Sequence, residues 1–160
     1  MTKIGIDPGV DGAIAVVGDD NRLVATFDMP CMLLGKNKRQ VNAAELANIL
    51  WEESACLDAI AYVEQVSAMP GQGVSGMFNF GVSYGVVQGV LAALKIPMVL
   101  IRPAVWKKRA GLLGKDKEAA RTLAQQLYPE APLGRKRDIG RADAILIARY
   151  GEEKTNETKT

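Results

Sequence analysis

Three acidic residues occupy apolar segments of this chain, where an unpaired charge is costly to bury. Asp7 and Glu64 each end an apolar run typical of a buried strand, and Asp143 lies inside an apolar helical run. Because a buried carboxylate needs a partner, acids on three core elements indicate a shared site. Carboxylate oxygens are the ligands that hard divalent cations such as Mg²⁺ or Mn²⁺ prefer. The sequence therefore predicts a metal site built from these three acids.

The chemistry of such a site follows from its ligands. Two divalent ions about 3.5–4 Å apart activate a water and stabilise the leaving oxygen in phosphodiester cleavage, and we expect Asp7 to bridge them. The chain has no histidine, which excludes a Ser-His-Asp triad and any zinc site that needs imidazole. For any single acid a turn or capping role remains an alternative.

The positive charge is concentrated in one segment. Residues Arg102 to Arg141 contain eleven Lys and Arg against four Asp and Glu, although the whole chain has a net charge of only +2. This asymmetry indicates a surface that binds a polyanion such as nucleic acid. A solvated surface is the alternative.

Hydrophobic periodicity and turn residues predict the elements that position these groups. The predicted strands are residues 2–8, 12–18, 22–28, 59–64 and 96–101. The predicted helices are residues 42–54, 76–94, 103–110, 116–127 and 138–150. Residues 29–40 and 65–76 are predicted loops, and Asn42 is the expected cap of the first helix.

These elements predict an α/β fold with a five-stranded mixed sheet and helices on both faces. The first three strands are antiparallel, the first strand lies beside strand 59–64, and the fully apolar strand 96–101 is expected to be central. Residues 1–151 are predicted to form one nuclease-like domain, followed by a flexible tail at 152–160. No apolar run reaches the roughly 20 residues that span a bilayer, and no signal peptide is visible, so we expect a cytoplasmic protein without a membrane partner.

Several motifs in this order resemble the RuvC-type Holliday junction resolvases of the RNase H-like superfamily, in a phage-like short form. The first motif, residues 4–9, resembles the family's opening strand with its first catalytic aspartate, and residues 63–66 resemble the strand with the second acid. Residues 80–85 resemble the start of the following helix, residues 103–108 and then 114–118 resemble a basic segment, and residues 140–144 resemble the last catalytic helix.

The resemblance implies a metal-dependent endonuclease that resolves four-way junctions and other branched DNA in recombination and repair. It implies two Mg²⁺ or Mn²⁺ ions per site, 5′-phosphate and 3′-hydroxyl products, and a homodimer that cuts two strands symmetrically; in a phage the location would be the host cytoplasm. The carboxylates also fit an RNase H-like ribonuclease. A junction-binding protein with an impaired site is a third interpretation.

The last helix departs from the family pattern. The cellular members of the family usually place two acids one helical turn apart on this helix, whereas this chain has Gly140 three residues before Asp143. The nearest acid is Asp138, which we expect either to be a fourth catalytic metal ligand or to cap the helix.

The expected DNA contacts lie on the segments around these acids. Phe78 follows the loop after Glu64 and could stack on bases at a branch point. The remaining candidates are cations that would contact phosphate, namely Lys107, Lys108, Lys115, Lys117 and Arg141. The resemblance also makes one of these lysines a transition-state stabiliser.

The predicted helix 76–94 carries small residues at four-residue spacing, Gly81, Gly85, Gly89 and Ala93. Small residues on one helix face allow another backbone to approach closely. Tight packing onto the sheet is the favoured interpretation, and a homodimer contact is the alternative.

Overall fold

A computed structural model describes residues 1–55 and 58–152. Its strands are β1 (Thr2–Asp7), β2 (Ala13–Val17), β3 (Leu23–Asp28), β4 (Cys31–Leu34), β5 (Lys38–Val41), β6 (Ala59–Glu64) and β7 (Met98–Ile101). Its α-helices are α1 (Ala43–Ser54), α2 (Val74–Ala93), α3 (Pro103–Arg109), α4 (Lys117–Leu127) and α5 (Ile139–Tyr150), with a 3₁₀ turn at Lys136–Asp138 before α5.

Five strands form a mixed sheet in the order β3-β2-β1-β6-β7. Strand β1 lies in the centre, antiparallel to β2 and parallel to β6. In the parallel pair Ile6 lies beside Val63. Because Asp7 and Glu64 are the next residues on these two strands, both acids are at the carboxyl edge of the sheet.

Helices cover both faces of this sheet. Side chains from α1 and α2, including Leu46, Leu50 and Val87, pack with Ile4 and Ile6 on one face. Residues from α3, α4 and α5, including Trp106 and Leu146, pack on the other face. The predicted α/β fold with a five-stranded mixed sheet and helices is confirmed, as is the Asn42 cap, whose side chain accepts a hydrogen bond from the Glu45 N–H.

Two details of the sequence prediction are wrong. The predicted loop 29–40 contains the antiparallel hairpin β4–β5, with Cys31 opposite Val41. The strand predicted to be central, β7, lies at the sheet edge beside β6. Its residues Met98, Val99 and Leu100 are 37–42% exposed, so an apolar run alone does not distinguish a central strand from an edge strand.

Helix α5 lies directly against the central strand because β1 contains a glycine at the crossing. A Cβ atom added to Gly5 would stand 2.0 Å from the Ala144 carbonyl oxygen and 2.5 Å from the Ala148 nitrogen. A side chain at this position would therefore push α5 away from β1. The close packing brings Asp143 on α5 towards the end of β1.

Residue 152 is the last that the structure describes, so most of the predicted tail lies outside the described residues. Within the described part of the chain, no helix is both long and apolar enough to cross a membrane.

Candidate active site

Asp7, Glu64 and Asp143 come together at the carboxyl edge of the sheet. Asp7 ends β1, Glu64 ends β6, and Asp143 lies on the first turn and a half of α5. All three are partly buried, and their charges act on one another. Elements far apart in sequence thus bring the predicted acids into one cluster.

Burial and mutual repulsion make these acids hard to ionise. Burial, followed by the charge of Glu64, raises the pKa of Asp7 from 3.8 to about 6. Burial and the charges of Asp7 and Glu64 raise the pKa of Asp143 from 3.8 to about 7. The pKa of Glu64 is also raised, chiefly by burial. Carboxyl groups with this perturbation, lying side by side, are typical of functional sites.

Trp106 holds Glu64 in place. Its indole Nε1–H donates a 2.7 Å hydrogen bond to Glu64 Oε2, and the side chain is fully buried. Because a buried indole N–H needs an acceptor, the same bond satisfies Trp106 and orients the carboxylate. The sequence analysis missed this residue; its only signal is a tryptophan in the first helical segment after β7.

Two of the predicted lysines lie where their charge acts on the acids. The charge of Lys107 lowers the pKa of Asp7, Glu64 and Asp143, and that of Lys117 lowers the pKa of Asp143. These effects only partly offset the burial. The Lys107 ammonium group also lies 5.3 Å from the centroid of the Trp106 ring. The other two lysines are exposed: Lys108 lies in the last turn of α3, and Lys115 lies on the segment that joins α3 to α4.

The donor set fits a hard divalent cation, since it consists of carboxylates alone. Among residues 1–55 and 58–152, no three Asp, Glu, Cys or His side chains converge tightly enough to enclose a metal ion. Three partly buried carboxylates repel one another until a cation neutralises them. The cluster therefore has the composition that a divalent metal site needs, although its three carboxylates do not enclose one in this structure.

The structure does not bring Asp138 to this cluster. Its carboxylate accepts a hydrogen bond from the Arg135 backbone N–H at 2.7 Å and others from the Arg135 guanidinium. This bonding to Arg135 holds the pKa of Asp138 below its usual range. Asp138 is only 2% exposed, so its carboxylate is occupied at the turn that precedes α5.

Gly140 replaces the second acid of the family pattern for a steric reason. A Cβ atom at this position would stand 2.5 Å from the Asp11 carbonyl oxygen and 3.2 Å from Gly12 Cα. Helix α5 therefore touches the turn that follows β1, and no side chain fits between them. An acid at position 140 would not fit between α5 and this turn.

Arg141 points towards Asp28 at the end of β3. Its Nε and Nη2 atoms donate hydrogen bonds of 2.6 and 3.0 Å to the two carboxylate oxygens of Asp28. The same contact holds the pKa of Asp28 below its usual range. A phosphate at Arg141 would have to compete with this ion pair.

The two phenylalanines at the start of α2 differ in exposure. Phe78 is 69% exposed. Phe80 is partly buried, and its ring lies next to Gly9 in the turn after Asp7. The exposed ring of Phe78 thus lies two residues before Phe80, whose ring packs against the turn that follows Asp7.

The small residues of α2 face solvent. Gly81, Gly85, Gly89 and Ala93 are all exposed, and a Cβ atom added to any of the three glycines would meet nothing within 4 Å. The favoured interpretation, tight packing onto the sheet, is therefore wrong. Buried contacts of α2 are made instead by Ser83, Val87 and Leu91.

Comparison with solved structures identifies the architecture. The chain superposes on T. thermophilus RuvC in complex with a Holliday junction substrate with a TM-score of 0.64 and 16% sequence identity, covering 92% of this chain and 90% of that one. The chain has the fold of RuvC. A second T. thermophilus RuvC structure matches with a TM-score of 0.54 and 18% identity over 92% of this chain and 91% of that one.

Sequence comparison agrees with the RuvC fold. The chain is 29% identical over 150 residues to the chloroplastic Holliday junction resolvase MOC1 of Chlamydomonas reinhardtii. The match covers 79% of this chain but only 17% of the algal protein. No protein-family model matches the chain. The resemblance to RuvC that the motifs predicted is confirmed.

Proposed function

We propose that this protein is a metal-dependent, structure-selective endonuclease that resolves four-way junctions and other branched DNA. The observation that carries the proposal is the cluster of Asp7, Glu64 and Asp143, with Lys107 acting on all three. Such an acid cluster fits many phosphodiester substrates. The similarity of the chain to RuvC and to a Holliday junction resolvase favours branched DNA among them. This proposal rests on the site and takes only the substrate class from the relatives.

Asp7, Glu64 and Asp143 are the residues that would hold Mg²⁺ or Mn²⁺. Two such ions, when bound, supply an activated water and stabilise the leaving 3′ oxygen, so the products carry 5′-phosphate and 3′-hydroxyl ends. Asp138 is left out of the ligand set, because its carboxylate already accepts hydrogen bonds from Arg135.

The chain's own residues have distinct tasks in this scheme. Trp106 fixes the orientation of Glu64 through the bond to Oε2, and Oε1 would be the oxygen that binds a metal ion. Lys107 places a positive charge beside all three acids and is our candidate for stabilising charge on the scissile phosphate. Lys108, Lys115 and Lys117 are exposed and would hold the DNA backbone, which positions the substrate without reading its sequence.

Phe78 and Arg141 complete the proposed DNA surface. The exposed ring of Phe78 would stack on unpaired bases at the branch point. Arg141 would reach phosphate only by exchanging its partner Asp28, so we assign it the weaker contribution.

We further propose a homodimer formed through α2. This helix of twenty residues contains no charged residue, and it exposes Val74 and the glycine positions 81, 85 and 89. An uncharged helix with an open row of glycines allows a second backbone to approach closely. Two sites related by a twofold axis suit a junction with two strands to be cut.

A panel of labelled substrates tests the proposal. We expect cleavage of a four-way junction in Mg²⁺ or Mn²⁺, weaker cleavage of a linear DNA duplex, and no preference for an RNA–DNA hybrid. Faster cutting of the hybrid would favour the ribonuclease interpretation. Tight junction binding without cleavage in either metal would favour an impaired site.

A further inference from the structure

The hairpin β4–β5 forms a projecting arm beside the candidate active site. Every residue from 32 to 39 is exposed, including Leu33 at 69% and Met32 and Leu34 at 41% each. The tip, at residues 35–37, turns through Gly35, whose φ of 71° suits glycine. A strand pair that shows apolar side chains on an exposed surface marks a surface for interaction.

The base of this arm is held to the turn that follows Asp7 by a hydrogen bond and an ion pair. The Cys31 thiol donates a hydrogen bond to the Val10 carbonyl oxygen at 3.4 Å, and Arg39 forms an ion pair with Asp11. The backbone N–H of Asn42 donates to the Pro30 carbonyl oxygen at 2.8 Å and closes the base. The arm therefore has a defined position relative to the catalytic strand.

The positive charge of the arm indicates which kind of partner it binds. Residues 29–41 contain Lys36, Lys38 and Arg39 and no acidic residue. Arg39 is paired with Asp11, whereas the side-chain ammonium groups of Lys36 and Lys38 make no hydrogen bond or ion pair with any residue in 1–55 and 58–152. Unpaired cations at the tip of an ordered hairpin and on the strand beside it fit the phosphates of a nucleic acid.

We propose that the β4–β5 hairpin is a second DNA-binding element, in which Lys36 and Lys38 contact the backbone phosphates of a duplex arm that enters the site past the turn after Asp7. This inference rests on the proposed function. The basic segment from α3 to α4 lies after β7 in the chain, whereas the hairpin adjoins β3 and the turn after β1. DNA held by both elements would be fixed on two sides of the acid cluster.

The chain offers a matched control for the charge change. Lys36→Gln with Lys38→Gln removes two positive charges from the hairpin. Arg22→Gln with Lys95→Gln removes two from the loops before β3 and β7. Because β3 runs antiparallel to β2, and β7 parallel to β6, those loops lie at the edge of the sheet opposite Asp7 and Glu64.

The test measures binding of a fluorescent four-way junction and a plain duplex over a series of salt concentrations, in an Asp7→Asn background that prevents cutting. For the hairpin variant we expect affinity about 10-fold lower, with the slope of log affinity against log salt reduced by about 1 per lysine. The control variant should keep the slope of the parent protein.

Equal losses in the two variants would overturn the inference, since overall charge would then explain both. A change in oligomeric state on sedimentation, with the salt slope unchanged, would also overturn it and assign the hairpin to a protein interface. Junction cutting by the protein with native Asp7 is measured in parallel. If that protein cuts junctions while the hairpin variant matches the control, only the hairpin inference fails; if it neither binds nor cuts them, the proposed function fails as well.

Discussion

The indole Nε1 of Trp106 lies 2.7 Å from Glu64 Oε2 and joins the first helix after β7 to the carboxyl end of β6. One member of the bond is fully buried, and the other is a candidate metal ligand. The next residue, Lys107, carries the positive charge that lowers the pKa of all three acids. Helix α3 thus supplies both a fixed donor and a cation to the acid cluster.

Replacing Trp106 by Phe removes the donor and keeps an aromatic ring. We expect stability to fall by about 1 kcal/mol and the Mg²⁺ concentration for half-maximal cleavage to rise about 10-fold or more, because Glu64 loses its orientation. Urea unfolding and a Mg²⁺ titration of cleavage measure the two effects. Trp51→Phe is the control, since Trp51 is 61% exposed. An unchanged Mg²⁺ requirement in Trp106→Phe would contradict the positioning role.

Comparing variants of Asp138 and Asp7 distinguishes an acid with a structural role from one with a catalytic role. Asp138→Asn should lower stability by about 1 kcal/mol, because it weakens the bonds with Arg135, and should leave cleavage by the folded protein within about 3-fold of the native rate. Asp7→Asn should abolish cleavage and keep the fold. Thermal unfolding and a junction cleavage assay on the same preparations make the comparison. Loss of cleavage in Asp138→Asn without loss of stability would restore Asp138 as a ligand.

The raised pKa values predict how stability depends on pH in the absence of divalent metal. Asp7 and Asp143 bind protons more tightly in the folded state, so their stabilising contribution is fully present below the ordinary pKa of 3.8. It is lost as the pH rises through about 6 for Asp7 and about 7 for Asp143. Urea unfolding in EDTA across that interval should show falling stability, and Asp143→Asn should reduce the fall. A stability that rises over the same interval in EDTA would show that the acids are not destabilised by burial and repulsion.

The exposed glycines of α2 predict separate effects on folding and on assembly. A Cβ atom at position 85 would meet nothing within 4 Å, so the Gly85→Leu chain should fold. Because leucine is a better helix former than glycine, the substitution should stabilise α2 by up to about 1 kcal/mol. Sedimentation equilibrium should then show the monomer in place of the dimer. By contrast, Gly5→Ala should unfold the protein, because its Cβ would stand 2.0 Å from the Ala144 oxygen. A Gly85→Leu protein that remains dimeric would place the interface elsewhere.

The acid cluster could be predicted from the sequence because a charge in an apolar run is a local signal. Asp7, Glu64 and Asp143 all carry it, and strand pairing then brings two of them to the same edge. The bond from Trp106 to Glu64 joins residues 42 positions apart and has no local signature. Asp138 had two interpretations that its spacing could not separate, since the contact with Arg135 depends on the shape of the turn before α5.

The parts of the fold that the sequence predicts wrongly have similar causes. The sequence of hairpin β4–β5 predicts a loop because Met32, Leu33 and Leu34 follow one another without the alternation of a strand with one buried face. Strand β7 is apolar although three of its four residues are exposed, so hydrophobicity gave the wrong place in the sheet. On α2 the four-residue glycine spacing is visible in the sequence, but which helix face turns to the sheet depends on tertiary packing.

The most direct measurement is cleavage of a four-way junction by the native protein and by Asp143→Asn, side by side in Mg²⁺, with the ends of the products mapped. We expect the native protein to cut two opposite strands near the branch point and to leave 5′-phosphate ends, and we expect the folded Asp143→Asn protein to bind the junction without cutting it. Cleavage that persists in Asp143→Asn, or native cleavage of linear duplex at the same rate as the junction, would contradict the proposed endonuclease.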